Sequence, residues 1–178
     1  MQFNVAQLMR QPTGATRHYQ IDEPSGIVDE DLQLVGPIHI SVRLLRTQRG
    51  VLVTADVQQT VRLQCVRCLT NVERTIPLHI EEEFFPSIDM GTGLPMHYSA
   101  EDGVAEEVMI DEHHILDLTE VVRQELLVNL PARVLCKPDC AGLCPICGND
   151  RNVQPCTCEE EQTDPRWAAL AALRRNEE

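Results

Sequence analysis

Eight cysteines stand in four close pairs: Cys65-x2-Cys68, Cys136-x3-Cys140, Cys144-x2-Cys147 and Cys156-x-Cys158. A tight turn between paired cysteines aims both sulfurs at one point, and a structural zinc takes four such ligands in a tetrahedron. In Cys144-Pro-Ile-Cys147-Gly148 the proline stiffens the turn, and Gly148 admits the left-handed backbone that a knuckle of this kind needs. Cys156 and Cys158 follow Cys147 after only eight residues and are placed to close the same site. Cys65, Cys68, Cys136 and Cys140 make a second set of four if the chain brings the two pairs together. Three arrangements are open. The preferred one has two separate sites of four cysteines each. A second has one zinc on four of the six C-terminal cysteines, with Cys65 and Cys68 left as reduced thiols. A third is a binuclear cluster with bridging thiolates.

Zinc held by four thiolates has no open position for water, so the metal reads as structural. Sites of this size contribute an apparent ~10–16 kcal/mol of binding free energy, ample for a segment with so few apolar residues. The competing chemistry is redox, with Cys65 and Cys68 as a dithiol. That needs a lowered thiol pKa, typically found at a helix N-terminus, whereas these residues follow a strand pattern. The chain has no Gly-rich phosphate loop, no His-Glu-x-x-His and no Gly-x-Ser-x-Gly. His113-His114 lies in an acidic, solvated context, and the carboxylate pairs sit in charge runs without apolar shielding. No catalytic residue and no small-molecule cofactor site is expected, and an enzyme is disfavoured.

The elements that must position these cysteines are mostly strands. Ile38, Ile40, Val42 and Leu44 share one face of an alternating run. Thr47–Gly50 is a turn signal, and Val51, Val53, Ala55 and Val57 alternate again, continued by Val61, Leu63 and Cys65. The period resumes through Ile76, Leu78 and Ile80, with an acidic run at Glu81–Glu83, so a sheet of roughly four to six strands is expected. Residues 86–103 follow neither period and read as a long mobile loop, with a short strand near Val104–Ile110. Asp117 with Glu120 resembles a capping box that opens a helix. Leu118, Val121, Val122, Leu126 and Leu130 form its apolar stripe, and Pro131 ends it. Asp164-Pro165 signals a second helix carrying Trp167, Leu170, Ala171 and Leu173 on one side. The expected fold class is α+β: a mainly antiparallel sheet or open barrel with one packed helix, a C-terminal Cys-rich zinc module and a short terminal helix. The expected division is a β-rich core over residues 1–135 with its helix at 117–130, a zinc module over 136–163, and a terminal helix over 164–178.

The chain has 178 residues and a formal charge of -13, which argues against attraction of the whole surface to phosphate. The charge is uneven. Residues 1–75 carry eight Arg against seven acids, and residues 76–178 carry seven basic residues against 21 acids. Lys137 is the sole lysine, and arginine grips phosphate bidentately. The first residues lack a basic stretch leading into an apolar run, and no window approaches the ~20 apolar residues of a spanning helix. A cytoplasmic location is expected, where thiols stay reduced and clustered cysteines read as metal ligands.

Several stretches carry a resemblance to the bacterial YceD family. They are Asn4-Val-Ala-Gln-Leu8, Cys65-Val-Arg-Cys68-Leu69, Asp117-Leu-Thr-Glu-Val-Val122, Leu130-Pro131, the run from Cys136 to Gly148, and Asp164-Pro-Arg-Trp167. That family is associated with accumulation of large-subunit ribosomal RNA. The resemblance implies a role in large ribosomal subunit biogenesis by binding an assembly intermediate, its RNA or a ribosomal protein. It supplies no catalytic residues, and family members differ in how many of these cysteines they carry, so zinc reads as a local staple. The acidic C-terminal half suits a basic ribosomal protein, while Arg43, Arg46, Arg49, Arg62, Arg67 and Arg74 are candidate contacts to ribosomal RNA. The rival reading from another class is a zinc/thiol redox or metal-handling protein.

Overall fold

The computed structural model describes residues 1–24, 27, 32–98 and 104–158. The helix expected after Asp164 lies outside the described residues. Strand β1 (Gln2–Asn4) and the short helix α1 (Ala6–Met9) lead into four long strands: β2 (Thr16–Pro24), β3 (Gln33–Arg46), β4 (Val51–Gln64) and β5 (Asn71–Pro86). Short strands β6 (Met109–Ile110) and β7 (Ile115–Asp117) precede helix α2 (Thr119–Asn129). The sheet is open, with order β2-β3-β4-β5-β6. Its long pairs are antiparallel, and β6 joins β5 in parallel. Separately, β1 pairs antiparallel with β7 and sets Phe3 opposite Leu116.

Alternation decides which face is buried. Ile38, Ile40, Val42 and Leu44 are buried, and so are Val51, Val53, Ala55, Val57 and Val61 on β4 and Ile76, Leu78 and Ile80 on β5. The intervening His39, Ser41, Arg43, Asp56 and Gln58 face solvent. The apolar face meets α2 through Val121, Val122 and Leu126, together with Phe3, Val5, Leu8, Leu116 and Leu118. This burial of apolar side chains is the main force holding helix to sheet.

Two features interrupt the regular ladder. The β3–β4 register shifts between Val35 and His39, with Gly36 at φ +71. Gln59, fully buried in the apolar row, donates from Nε2 to the Val35 carbonyl at 3.3 Å and to the Thr60 carbonyl at 2.9 Å. The bulge thus releases a carbonyl that a core glutamine captures, as a buried polar group requires. At the β3–β4 turn, the Arg46 guanidinium donates to the Thr47 and Gly50 carbonyls at 2.7 and 2.8 Å. A Cβ on Gly50 would stand 1.9 Å from the Phe84 carbonyl oxygen, so this turn requires glycine.

Two expectations need correction. The helix begins at Thr119, with Leu118 as N-cap. Asp117 remains the last residue of β7, opposite Gln2, and its carboxylate accepts from the Thr119 amide at 2.8 Å. Glu120 pairs with Arg123 and Gln124 instead of closing a capping box. The start is displaced because strand pairing holds Asp117 in extended backbone. The other end falls where Pro131 dictates: Leu130 is extended at ψ 133.

The second correction concerns the segment after β5, whose described part is not a structureless loop. Ser87 and Met96 are joined by a backbone hydrogen bond, and Ile88 bridges Pro95. Asp89 Oδ1 accepts from the Gly91 and Thr92 amides, and the Tyr98 hydroxyl donates to the Pro86 carbonyl at 2.8 Å.

Candidate metal centres

The β4–β5 connection is built on its cysteines. Past Gln64 the Cys65 amide donates to the Thr70 carbonyl and the Leu69 amide to the Cys65 carbonyl, each at 2.9 Å. Leu69 closes the turn at φ +61. The same pattern recurs 79 positions later. There the Cys144 amide donates to the Asn149 carbonyl at 2.8 Å, the Gly148 amide donates to the Cys144 carbonyl at 2.9 Å, and Gly148 lies at φ +73. The two Cys-x2-Cys turns are therefore one backbone motif used twice, with leucine in the first where the second has glycine.

Cys65, Cys68, Cys136 and Cys140 form one tetrad, and Cys144, Cys147, Cys156 and Cys158 form the other, with the sulfurs of each tetrad within 4.8 Å of one another. This grouping is compatible with the two-site arrangement, since the cysteines fall into two sets of four. Within the first tetrad, Cys65 Sγ and Cys140 Sγ are 3.8 Å apart, and Cys68 Sγ and Cys136 Sγ are 3.5 Å apart. Neither separation is a disulfide, which requires about 2.05 Å. Both suit a tetrahedron: metal–sulfur bonds of about 2.3 Å set its edges at about 3.8 Å. Each tetrad could hold one metal ion. The first is the more enclosed, packed against Val72, Leu135 and Leu143. In the second, Cys144 is buried while Cys147 is exposed.

The electrostatics of the thiols follow from crowding. Burial pushes the Cys65 thiol up, but hydrogen bonds from the Cys68, Arg67 and Cys136 backbone outweigh it and lower the thiol to about 6. Burial and the neighbouring sulfurs raise Cys136 to about 12. In the second tetrad the Cys147 and Ile146 amides lower Cys144 to about 6, while Cys147, burial and Cys144 raise Cys158 to about 12. The knuckle amides thus lower a thiol pKa without the helix N-terminus that typically does so. Four clustered thiols cannot all ionise unaided, and a bound cation removes that obstacle.

The centres are tied together. Arg67 Nη1 donates to the Cys140 carbonyl at 2.8 Å, and the Arg67 carbonyl accepts from the Leu143 amide at 3.0 Å. Asn152 Oδ1 accepts from the Ala141 amide at 2.9 Å, and Asn152 Nδ2 reaches Cys140 Sγ at 3.3 Å. Gly142, at φ +74, sits where a Cβ would come within 3.1 Å of the Arg67 carbonyl oxygen. Asn152 carries no spacing signal, so sequence reasoning had no means of finding it.

The six candidate arginines have varied surroundings. Arg43 lies exposed on the outer sheet face. Arg46 is committed to its turn, and the Arg49 guanidinium lies 5.1 Å from the Phe85 ring centroid. Arg62 pairs with Glu73 at 2.9 Å, and Arg74 donates to the Leu135 carbonyl at 3.1 Å. Arg67 belongs to the cysteine framework. His113 and His114 form a surface turn in which Asp111 Oδ1 accepts the His113 and Ile115 amides at 2.9 and 2.7 Å.

The fold and its centres define a β-sheet protein whose helix exit and C-terminal segment are built around two four-cysteine centres. Residues 53–174 match the model of the family described as "Large ribosomal RNA subunit accumulation protein YceD", and the chain belongs to that family. It is 30% identical over 184 residues to the uncharacterized protein Rv2926c of Mycobacterium tuberculosis, covering 97% of this chain and 81% of that one. It is 22% identical to the uncharacterized protein YlbN of Bacillus subtilis over 184 residues, spanning 100% and 99% of the two chains. The chloroplastic YCED homolog 1 of Arabidopsis thaliana, named for large ribosomal RNA subunit accumulation, is 24% identical across 78% of this chain and 49% of its own length. No solved structure matches. Among the described residues, no helix is long and apolar enough to cross a membrane.

Proposed function

We propose that this chain supports accumulation of large-subunit ribosomal RNA by binding precursors of the large ribosomal subunit in the cytoplasm, as a zinc-stapled binding protein and not as an enzyme. The carrying observation is its place in a family named for that RNA. Zinc is supported by the all-thiolate donor sets and by sulfur spacings that suit zinc–sulfur bonds. A structural role is supported by the same donors, since four thiolates leave no position for substrate. The charge division supports contact with a basic ribosomal protein through the acidic half and with ribosomal RNA through arginines of the other half. Affinity capture of the full chain from cells, scored for large-subunit precursor RNA and ribosomal proteins, tests this reading. Enrichment of those precursors is expected, and their absence at moderate salt sinks it.

A second reading, a thiol redox or metal-handling protein, is favoured by Cys65 and Cys144 being lowered to about 6. Thiol titration of the zinc-loaded protein separates the two. Protected thiols fit the staple, whereas rapid, reversible oxidation fits redox.

A further inference from the structure

A cleft of about 360 Å³ opens between β5 and the segment that leaves α2. It exists because Pro131 turns the chain away from the helix axis, while the next residues are pinned back to the sheet. The Val134 carbonyl accepts from the Val66 amide at 2.9 Å, and the Leu135 carbonyl from Arg74 Nη2 at 3.1 Å. Ile76, Pro77, Pro131 and Val134 supply apolar wall, and Arg74 and Arg133 supply positive charge. Among the described residues no acid lines the cleft, in a chain whose formal charge is -13. Glu73, next to Arg74, pairs with Arg62 at 2.9 Å, and Glu125 accepts from the Asn129 amide at 3.2 Å. Asp139, four residues past Leu135, is exposed and is not among the residues that line the cleft. Arg133 is exposed.

We infer that this cleft binds one nucleotide of single-stranded RNA, the phosphate on Arg74 and Arg133 and the base against the proline-rich wall. The inference rests on the RNA side of the proposed function and gives it a location on the chain. Guanidinium groups match phosphate geometry bidentately. Pro77 and Pro131 offer the base an apolar contact, and pockets of about 300 Å³ upward hold ligands of nucleotide size. The charge argument also selects the ligand: a cleft with two arginines and, among the described residues, no acid favours an anion in a chain whose net charge is -13.

The test is fluorescence anisotropy of the full-length, zinc-loaded protein with a labelled oligouridine of about 12 nucleotides, across a salt series. Arg133→Glu is expected to weaken binding at least ~10-fold and to lower the salt slope by about one, with zinc content unchanged. Arg43→Glu makes the same charge change on the outer sheet face and is expected to alter affinity less than ~3-fold. Equal affinity for wild type and Arg133→Glu overturns the inference, as does equal weakening by the two substitutions. Competition by an oligoglutamate as strong as by oligouridine also overturns it, in favour of an acidic peptide. If the wild type captures large-subunit precursors yet binds no oligouridine, the cleft fails while the proposed function stands. If Arg133→Glu loses oligouridine but the wild type captures no precursor, the cleft stands and the proposed function fails.

Discussion

Asn152 Nδ2 lies 3.3 Å from Cys140 Sγ, so a residue on the loop of one cysteine centre supplies a hydrogen bond to a sulfur of the other. Asn152 is held in place by Asp150, whose Oδ1 accepts its amide hydrogens at 2.8 and 2.7 Å from N and Nδ2. Donors to a ligating sulfur orient it and disperse its charge, and losing such a partner costs about 10–100-fold in metal affinity. Asn152→Leu is therefore expected to weaken zinc binding at Cys65, Cys68, Cys136 and Cys140 by that factor while stoichiometry stays unchanged. Competition with a chelating dye measures it. Unchanged affinity at both centres would show that the contact is incidental.

Metal analysis of reduced protein is expected to find two zinc ions per chain, one for each tetrad. Cys65→Ser with Cys68→Ser is expected to remove one ion and leave the other, and chelation of both to lower the melting temperature. A single zinc ion that survives the double substitution would return the molecule to the one-site arrangement.

Leu69 adopts the left-handed backbone that Gly148 adopts in the equivalent turn, at φ +61 against +73, and the residue is 58% exposed. A left-handed non-glycine residue costs about 1–2 kcal/mol, and little packing is lost on its removal. Leu69→Gly is expected to stabilise the zinc-loaded protein by about 0.5–1 kcal/mol after the added freedom of the unfolded chain is offset. Gly142→Ala, forced toward the Arg67 carbonyl at φ +74, is expected to destabilise by a similar or larger amount. Thermal melting of the two variants should shift in opposite directions.

Asp117 links the N-terminal strand to the start of α2. Burial raises its carboxyl, but hydrogen bonds from Thr119 and Gln2 and the Met1 ammonium outweigh this and lower it to about 2, from an ordinary 3.8. A depressed folded-state pKa contributes stability that is complete above the unfolded value and lost as pH falls through the folded one. The carboxylate is 43% exposed, and screening reduces the contribution to about 1 kcal/mol. Asp117→Asn is expected to cost that amount at pH 7 and to flatten the decline in melting temperature between about pH 4 and 2. An unchanged acid profile would remove Asp117 from the linkage.

The legible part of this molecule was local. Ile38 to Leu44 and Val51 to Val57 alternate, and those side chains are buried. Strand β2 is not foreseen because an edge strand with Tyr19 and Ile21 only half-buried has little apolar contrast. The capping signal at Asp117 falls one residue before the observed N-cap, Leu118, because Asp117 ends strand β7 opposite Gln2, although its carboxylate still accepts the Thr119 amide. The described part of the segment after Pro86 escaped both periods because it is stitched by single side-chain and backbone bonds, which no periodicity reports.

The cysteines divide along the same line. Which sulfurs pair within a turn follows from spacing alone, because a two-residue gap leaves the backbone few ways to close, and both turns close the same way. Which pair meets which is a long-range matter. Cys65 and Cys140 stand 75 positions apart and come together where α2, packed across β5, delivers its exit beside the β4–β5 turn. That docking is driven by burial of Val121, Val122 and Leu126 against the sheet, so packing far from the sulfurs decided how eight cysteines were shared between two centres.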